Sequence, residues 1–328
     1  MSPRLRHGVL YLVLAAATML AAVAGLGIGP VRLTPVEVWN ALGGRGDVTV
    51  VAIVRDIRAP RVVLAALVGA ALAMSGAALQ GTMRNPLAEP YLLGVSGGAA
   101  VGAVLAVAGG APFGLVPVGA FAGAVAAVML VLGIARAGGR RPDPRVLLMA
   151  GVVVGAFANA VIMIALASAP ADSVRNALWW MMGSVAGATW VQIGWFAAYG
   201  VVSAGALLLF ASEIDVLALG DDAAAGLGVN VDRAGRRAYV IASLLAAATV
   251  AAAGLVGFVG LVVPHLVRTR AGSRHRAVIA AAGLAGATLV MLADLVARTL
   301  RAPSELPLGA VTALGGVPFF LFQLRRFK

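Results

Sequence analysis

Residues 57–98 read IRAPRVVLAALVGAALAMSGAALQGTMRNPLAEPYLLGVSGG. An apolar run of spanning length is entered through Arg58-Ala-Pro-Arg61 and ends at Gln80 and Gly81. It gives way to RNPLAEP at residues 84–90, where Pro86 and Pro90 forbid a continuous helix. A second apolar run follows at once. One membrane-length helix, a polar elbow and a return into apolar sequence is the pattern of a helical protein that crosses a bilayer repeatedly.

The rest of the chain extends that pattern. It has 328 residues, 61% hydrophobic and 12% charged, where soluble domains carry about 25% charged residues. Mean hydropathy is +0.99. The runs are continuously apolar, which favours helices over a barrel of alternating strands. Ten hydrophobic segments are read at about 8–29, 61–82, 91–108, 114–135, 145–168, 190–211, 237–253, 255–269, 276–298 and 307–324. The expected fold is therefore an all-α polytopic membrane protein with about ten transmembrane helices, in one domain covering residues 1–328. Arg4 and Arg6 precede the first run as in a signal peptide, but the run is long for one, so an uncleaved helix is expected.

The net charge of +12 does not point to nucleic acid, because the arginines lie in short loops between apolar runs. With the N-terminus inside, 17 of the 25 basic residues fall in cytoplasmic loops and eight outside. That asymmetry predicts that both termini are cytoplasmic. Residues 212–237 then form a cytoplasmic island, SEIDVLALGDDAAAGLGVNVDRAGRR, holding five of the 13 acidic residues. An island of this kind must face water and is a natural place for another protein to grip.

Several chemistries are excluded. There is no cysteine, and the three histidines are scattered, so a metal site made by this chain alone is not expected. Its single lysine is Lys328, so a G-x-x-x-x-G-K-[ST] phosphate loop cannot exist here. The GVSGG at residues 94–98 fits G-x-S-x-G but lies in a transmembrane run without the setting a serine hydrolase needs. Glycines four apart (Gly25/Gly29, Gly94/Gly98, Gly119/Gly123, Gly151/Gly155) suit close helix packing. Spans two to five and seven to ten form two groups of four that begin on opposite sides, an arrangement suited to an inverted repeat.

With these features in place, the chain resembles the FecCD family, the permeases of binding-protein-dependent ABC importers for iron–siderophore complexes, haem and cobalamin. The resemblance runs nearly end to end. It is carried by residues 58–61, Gln80 and Gly81, residues 84–90, 94–98, 182–184, 219–229, 257–268 (GFVGLVVPHLVR), 293–298 and 305–309. It implies the type II ABC importer permease architecture, with a second permease subunit, commonly identical. Cytoplasmic ATPase subunits and an extracytoplasmic solute-binding protein complete the assembly. ATP would bind the ATPases, no cofactor would bind this chain, and the location would be a bacterial cytoplasmic membrane. Iron–siderophore is the first expected cargo, with haem or cobalamin as alternatives.

The resemblance also implies roles. Leu219, Gly220, Asp221, Asp222, Gly226, Leu227 and Gly228 match a short coupling helix that sits in a cleft of the ATPase. Asp221 and Asp222 in its first turn would favour the helix dipole. Arg58, Arg61 and Arg298 match outer arginines that meet acidic lobes of the binding protein; headgroup anchoring for the first two, or an Asp294–Arg298 pair, are the local alternatives. Asn85 and Leu87 match a cytoplasmic gate. A second constriction carries small hydroxyl residues in the family, where this chain has Asp143-Pro144. Asn159 and Met163 would line the pathway; for Asn159 an interhelical hydrogen bond is the alternative. The contrasting class is an ion-gradient-driven secondary transporter, for which Asp294 is the candidate embedded carboxylate in the later spans.

Overall fold

The computed structural model describes residues 3–137 and 143–324, and every regular element among them is helical. The chain ends, expected to be cytoplasmic, lie outside the described residues. In chain order the helices are α1 Pro3–Gly27, α2 Pro35–Leu42, α3 Val48–Ala52, α4 Ala59–Thr82, α5 Val95–Ala108, α6 Val116–Ala137, α7 Pro144–Ala167 and α8 Ala171–Met181. They continue as α9 Trp190–Leu209, α10 Ala211–Leu217, α11 Asp221–Gly226, α12 Val231–Ala253, α13 Val259–Ala271, α14 His275–Thr299 and α15 Leu308–Leu324.

Each of the ten apolar segments holds a helix. Seven helices among the described residues are long and apolar enough to cross a membrane. Those on segments three, eight and ten are shorter, at 14, 13 and 17 residues. At 1.5 Å per residue, α5 and α13 reach only about 20 Å, short of the roughly 30 Å hydrocarbon layer. Both start after unwound backbone.

Two boundaries differ from expectation. The second span continues outward: the chain is helical from Val48 to Thr82, through a π-helical stretch at Ile53–Arg58. The wide turn delivers Pro60, which has no N–H, to the start of α4 without breaking the rod. α12 begins at Val231 because Asn230 caps it, its side-chain oxygen accepting from the Arg233 N–H at 3.0 Å. Arg233, Arg236 and Arg237 are therefore on a helix, not in the loop where the charge pattern put them. The amphipathic helices α2 and α8 carry too little apolar sequence to register as spans. α2 is fixed by a capping box, in which the Thr34 N–H and hydroxyl reach the Glu37 carboxylate at 2.7 and 2.8 Å.

α4 is the axis of the bundle. Most of its length is buried, against α14, α12, α13 and α9. Its contacts run through bare backbone. A Cβ at Gly69 would fall on the Gly286 carbonyl of α14, and one at Gly76 on the Gly260 carbonyl of α13. α5 and α6 approach in the same way through Gly98 and Gly102 against Gly119 and Gly123. Two of the four glycine spacings read from sequence, Gly94/Gly98 and Gly119/Gly123, thus contribute a residue or both to this one contact.

Candidate coupling and gating sites

The island folds as α10 and α11. α11 is one short helix with Asp221 and Asp222 in its first turn, as the resemblance implies. Gly226 ends it, and Gly228, at φ +81°, takes the left-handed turn that follows. Ala224 points inward and packs with Leu217 and Ala234. Leu219 and Leu227 point outward, 66% and 64% exposed. Two exposed leucines flanking a short acidic helix make a small apolar contact surface.

α10 fastens this surface to the bundle. Asp215 Oδ1 accepts from both the backbone N–H and the Nδ1 of His275, each at 2.7 Å. The His275 ring is buried, with Nε2 3.3 Å from the Arg268 guanidinium and its Nε2–Cδ2 side in the space a Cβ on Gly81 would take. With Nδ1–H donating to Asp215, Nε2 is left to accept from Arg268, so neutral histidine satisfies both neighbours. Four elements meet at this ring: α4, α10, α13 and α14. Nothing in the sequence separation of Asp215 and His275 announces the pairing. His275→Ala is expected to lower thermal stability by about 2–3 kcal/mol through lost hydrogen bonds and a cavity. A thermal melt of the purified protein in detergent, followed by size-exclusion chromatography, checks it.

The elbow after α4 touches the same region. Arg84 is a non-glycine residue in left-handed backbone, φ +52°, and its guanidinium lies 2.9 Å from Asp221 of α11. Asn85 Oδ1 accepts from the Leu87 N–H at 2.9 Å and turns Leu87 outward, 44% exposed. The expected gate residues are thus next to a side chain that contacts the expected coupling helix. Asp143 caps α7, its carboxylate accepting from the Arg145 N–H at 2.7 Å. In α7, Leu147, Ala150, Gly151, Val154, Ala158 and Ile162 form the buried stripe. Asn159 and Met163 both lie on the opposite, exposed side. An amide there does not suit lipid, so this face fits a neighbouring chain or water.

The three outer arginines are buried, at 4%, 6% and 6% exposure for Arg58, Arg61 and Arg298. Arg58 donates to the carbonyls of Leu26, Gly27 and Val31, and Arg298 to that of Gly25. Both therefore cap the end of α1, where unpaired carbonyls favour a cation. Arg61 forks between two acids. Its Nε and Nη2 reach Asp294 at 2.8–3.0 Å, and Nη1 and Nη2 reach Glu305 at 2.7 and 3.0 Å. The expected Asp294–Arg298 pair is looser, at 3.7 Å. Asp294 is 3% exposed at its side chain and Glu305 41%.

Comparison with known proteins agrees with this architecture. The chain is 38% identical over 334 residues to the hemin transport system permease protein HmuU of Yersinia pestis, covering 99% of this chain and 96% of the relative. It is 44% identical over 275 residues to the cobalamin import system permease protein BtuC of Halobacterium salinarum, covering 83% and 73%. A solved chain described as an inward-facing conformation of a metal-chelate type ABC transporter superposes with a TM-score of 0.88 at 28% identity, covering 99% of this chain and all of that one. The profile of the FecCD transport family matches residues 17–326, and on that match and these identities the chain belongs to the FecCD transport family.

Proposed function

We propose that this chain is the membrane-spanning permease of a binding-protein-dependent ABC importer, moving an iron–siderophore complex across a bacterial cytoplasmic membrane. Relatives named for haem and cobalamin import keep those two cargoes as the alternatives. The observation that carries the reading is α11: a short acidic helix with outward leucines, on a chain whose sequence excludes a phosphate-binding loop of its own. An external ATPase subunit grips Leu219, Gly220, Asp221, Asp222, Gly226, Leu227 and Gly228 and supplies the ATP site. A second permease subunit, identical to this one, covers the exposed face of α7, with Asn159 and Met163 along the pathway. The cargo passes through unchanged, so the chain is a transport subunit and no catalyst.

At the outer face an acidic lobe of the binding protein meets Arg61 by displacing the exposed Glu305, while Arg58 and Arg298 hold the rim in shape. Rim charges of this kind set orientation and encounter rate. Asp294, the carboxylate that an ion-driven transporter would use, is held by Arg61, which does not favour that class.

Gly226→Trp tests the grip. A Cβ there meets no atom within 4 Å, so a side chain can leave the backbone at this position without a clash. The variant is expected to insert and purify normally but to lose co-purification of the ATPase. Normal co-purification would count against α11 as the grip. Titrating the cognate binding protein with siderophores, haem and cobalamin identifies the cargo.

A further inference from the structure

Two unwound stretches interrupt the bundle, and they meet. After α4 ends at Thr82 the backbone stays irregular to residue 89, makes the 3-10 turn Pro90–Leu93 and passes Gly94 at φ +84° before α5 begins. The second stretch, residues 254–258, separates α12 from α13, with Gly254 at φ +68° and Phe258 at φ +67°. Each precedes the second helix of a group of four, and each such helix is the shortest of its group. Irregular backbone at membrane depth persists only where protein satisfies its polar groups.

Here the two stretches satisfy each other. Glu89 Oε1 accepts from the Phe258 N–H at 3.0 Å, and the Tyr91 hydroxyl oxygen accepts from the Val256 N–H at 3.2 Å. Gln80, at the end of α4, donates to the carbonyls of Gly260 and Leu261 at 3.3 and 3.1 Å. Phe258 is a bulky residue in left-handed backbone, a conformation that persists only when its surroundings enforce it. The opposite end of residues 254–258 is tied to the turn after α8. Ser184 N–H donates to the Ala253 carbonyl at 2.8 Å, and Gly254 presses on the backbone of Gly183. Leu308 and Gly309 N–H groups close that turn on Gly183 and Met182, each at 3.1 Å. One five-residue segment therefore links the inner elbow, with Asn85 and Leu87, to the outer turn below Trp179.

We propose that residues 254–258 are an interlock that makes opening of the inner elbow and opening of the outer turn mutually exclusive, with Glu89 and Tyr91 as the positioning residues that couple it to the elbow. This rests on the reading of the elbow as the inner gate. Neither residue needs to touch cargo. Freed from Glu89 and Tyr91, the break would still hold the outer turn but would no longer report its state to the elbow.

The absence of native cysteine makes the test direct. Leu87→Cys and Trp179→Cys, 44% and 57% exposed, are labelled in separate assembled transporters in proteoliposomes. A membrane-impermeant maleimide is applied from either side, with and without ATP, and modification is read on this chain alone. With native Glu89 and Tyr91, reactivity at the two positions is expected to change in opposite directions. With Glu89→Leu and Tyr91→Phe together, both positions should react in the same state. Glu89→Gln keeps an acceptor oxygen and should restore the opposition. If the double variant does not fold, Tyr91→Phe alone removes only the acceptor hydroxyl and should weaken the opposition. Opposite changes that persist undiminished in the folded double variant, or in Tyr91→Phe, would overturn the interlock. Absence of opposite changes in the parent would overturn the gate reading and the interlock with it.

Discussion

Gly76→Ala is expected to cost more than about 3 kcal/mol and to leave little monodisperse protein, at or beyond the upper range of overpacking penalties. The added methyl would fall on the Gly260 carbonyl, and a backbone atom cannot rotate away. Only separation of α4 from α13 relieves the clash, and that would also pull Gln80 from the carbonyls it holds. Gly155→Ala is the matched control. It sits inside α7 with nothing within 4 Å of a new Cβ. It should be neutral, or stabilising by up to about 1 kcal/mol from helix propensity. Fluorescence-detected size exclusion after a temperature series separates the two. Equal behaviour would mean that α4 and α13 are not in backbone contact.

Asp294→Ala is expected to cost about 3–5 kcal/mol, the usual penalty for stranding a buried charge. Asp294 is the buried centre of a cluster that also contains Arg61 and Arg298. Without it, Arg61 keeps only the half-exposed Glu305, and the surrounding arginines repel one another. Arg61→Met combined with Asp294→Leu removes both charges and should recover most of the loss, because buried ion pairs are often replaceable by apolar side chains. Glu305 then turns to solvent. A double variant as unstable as Asp294→Ala alone would show that these residues do more than neutralise each other.

The spans were legible because lipid demands continuous apolar sequence. The elbow was legible because Pro86 and Pro90 cannot continue a helix. α11 is legible through the family resemblance of residues 219–229, with which its acidic first turn and closing glycines agree. What hid were contacts between residues distant in sequence. Arg61 reads as a rim charge until Asp294 and Glu305 are folded against it. Arg58 reads as a docking arginine, with headgroup anchoring as the alternative, because the carbonyls it caps belong to the end of another helix. Glu89 and Tyr91 sit in plain view within the elbow, yet their partners are backbone N–H groups, which carry no sequence signature. The one available cue was a carboxylate between prolines in apolar surroundings. From the sequence His275 reads as one of three scattered histidines; its partner is Asp215, an acid of the island that α11 does not use.

The permease reading is tested most directly by uptake into proteoliposomes holding this chain, its ATPase subunits and the cargo-loaded binding protein. Uptake is expected to require ATP hydrolysis, to stop when the ATPase is omitted, and to persist when the proton gradient is collapsed. Uptake that continues without the ATPase but stops with the proton gradient would contradict an ABC importer and favour an ion-driven transporter.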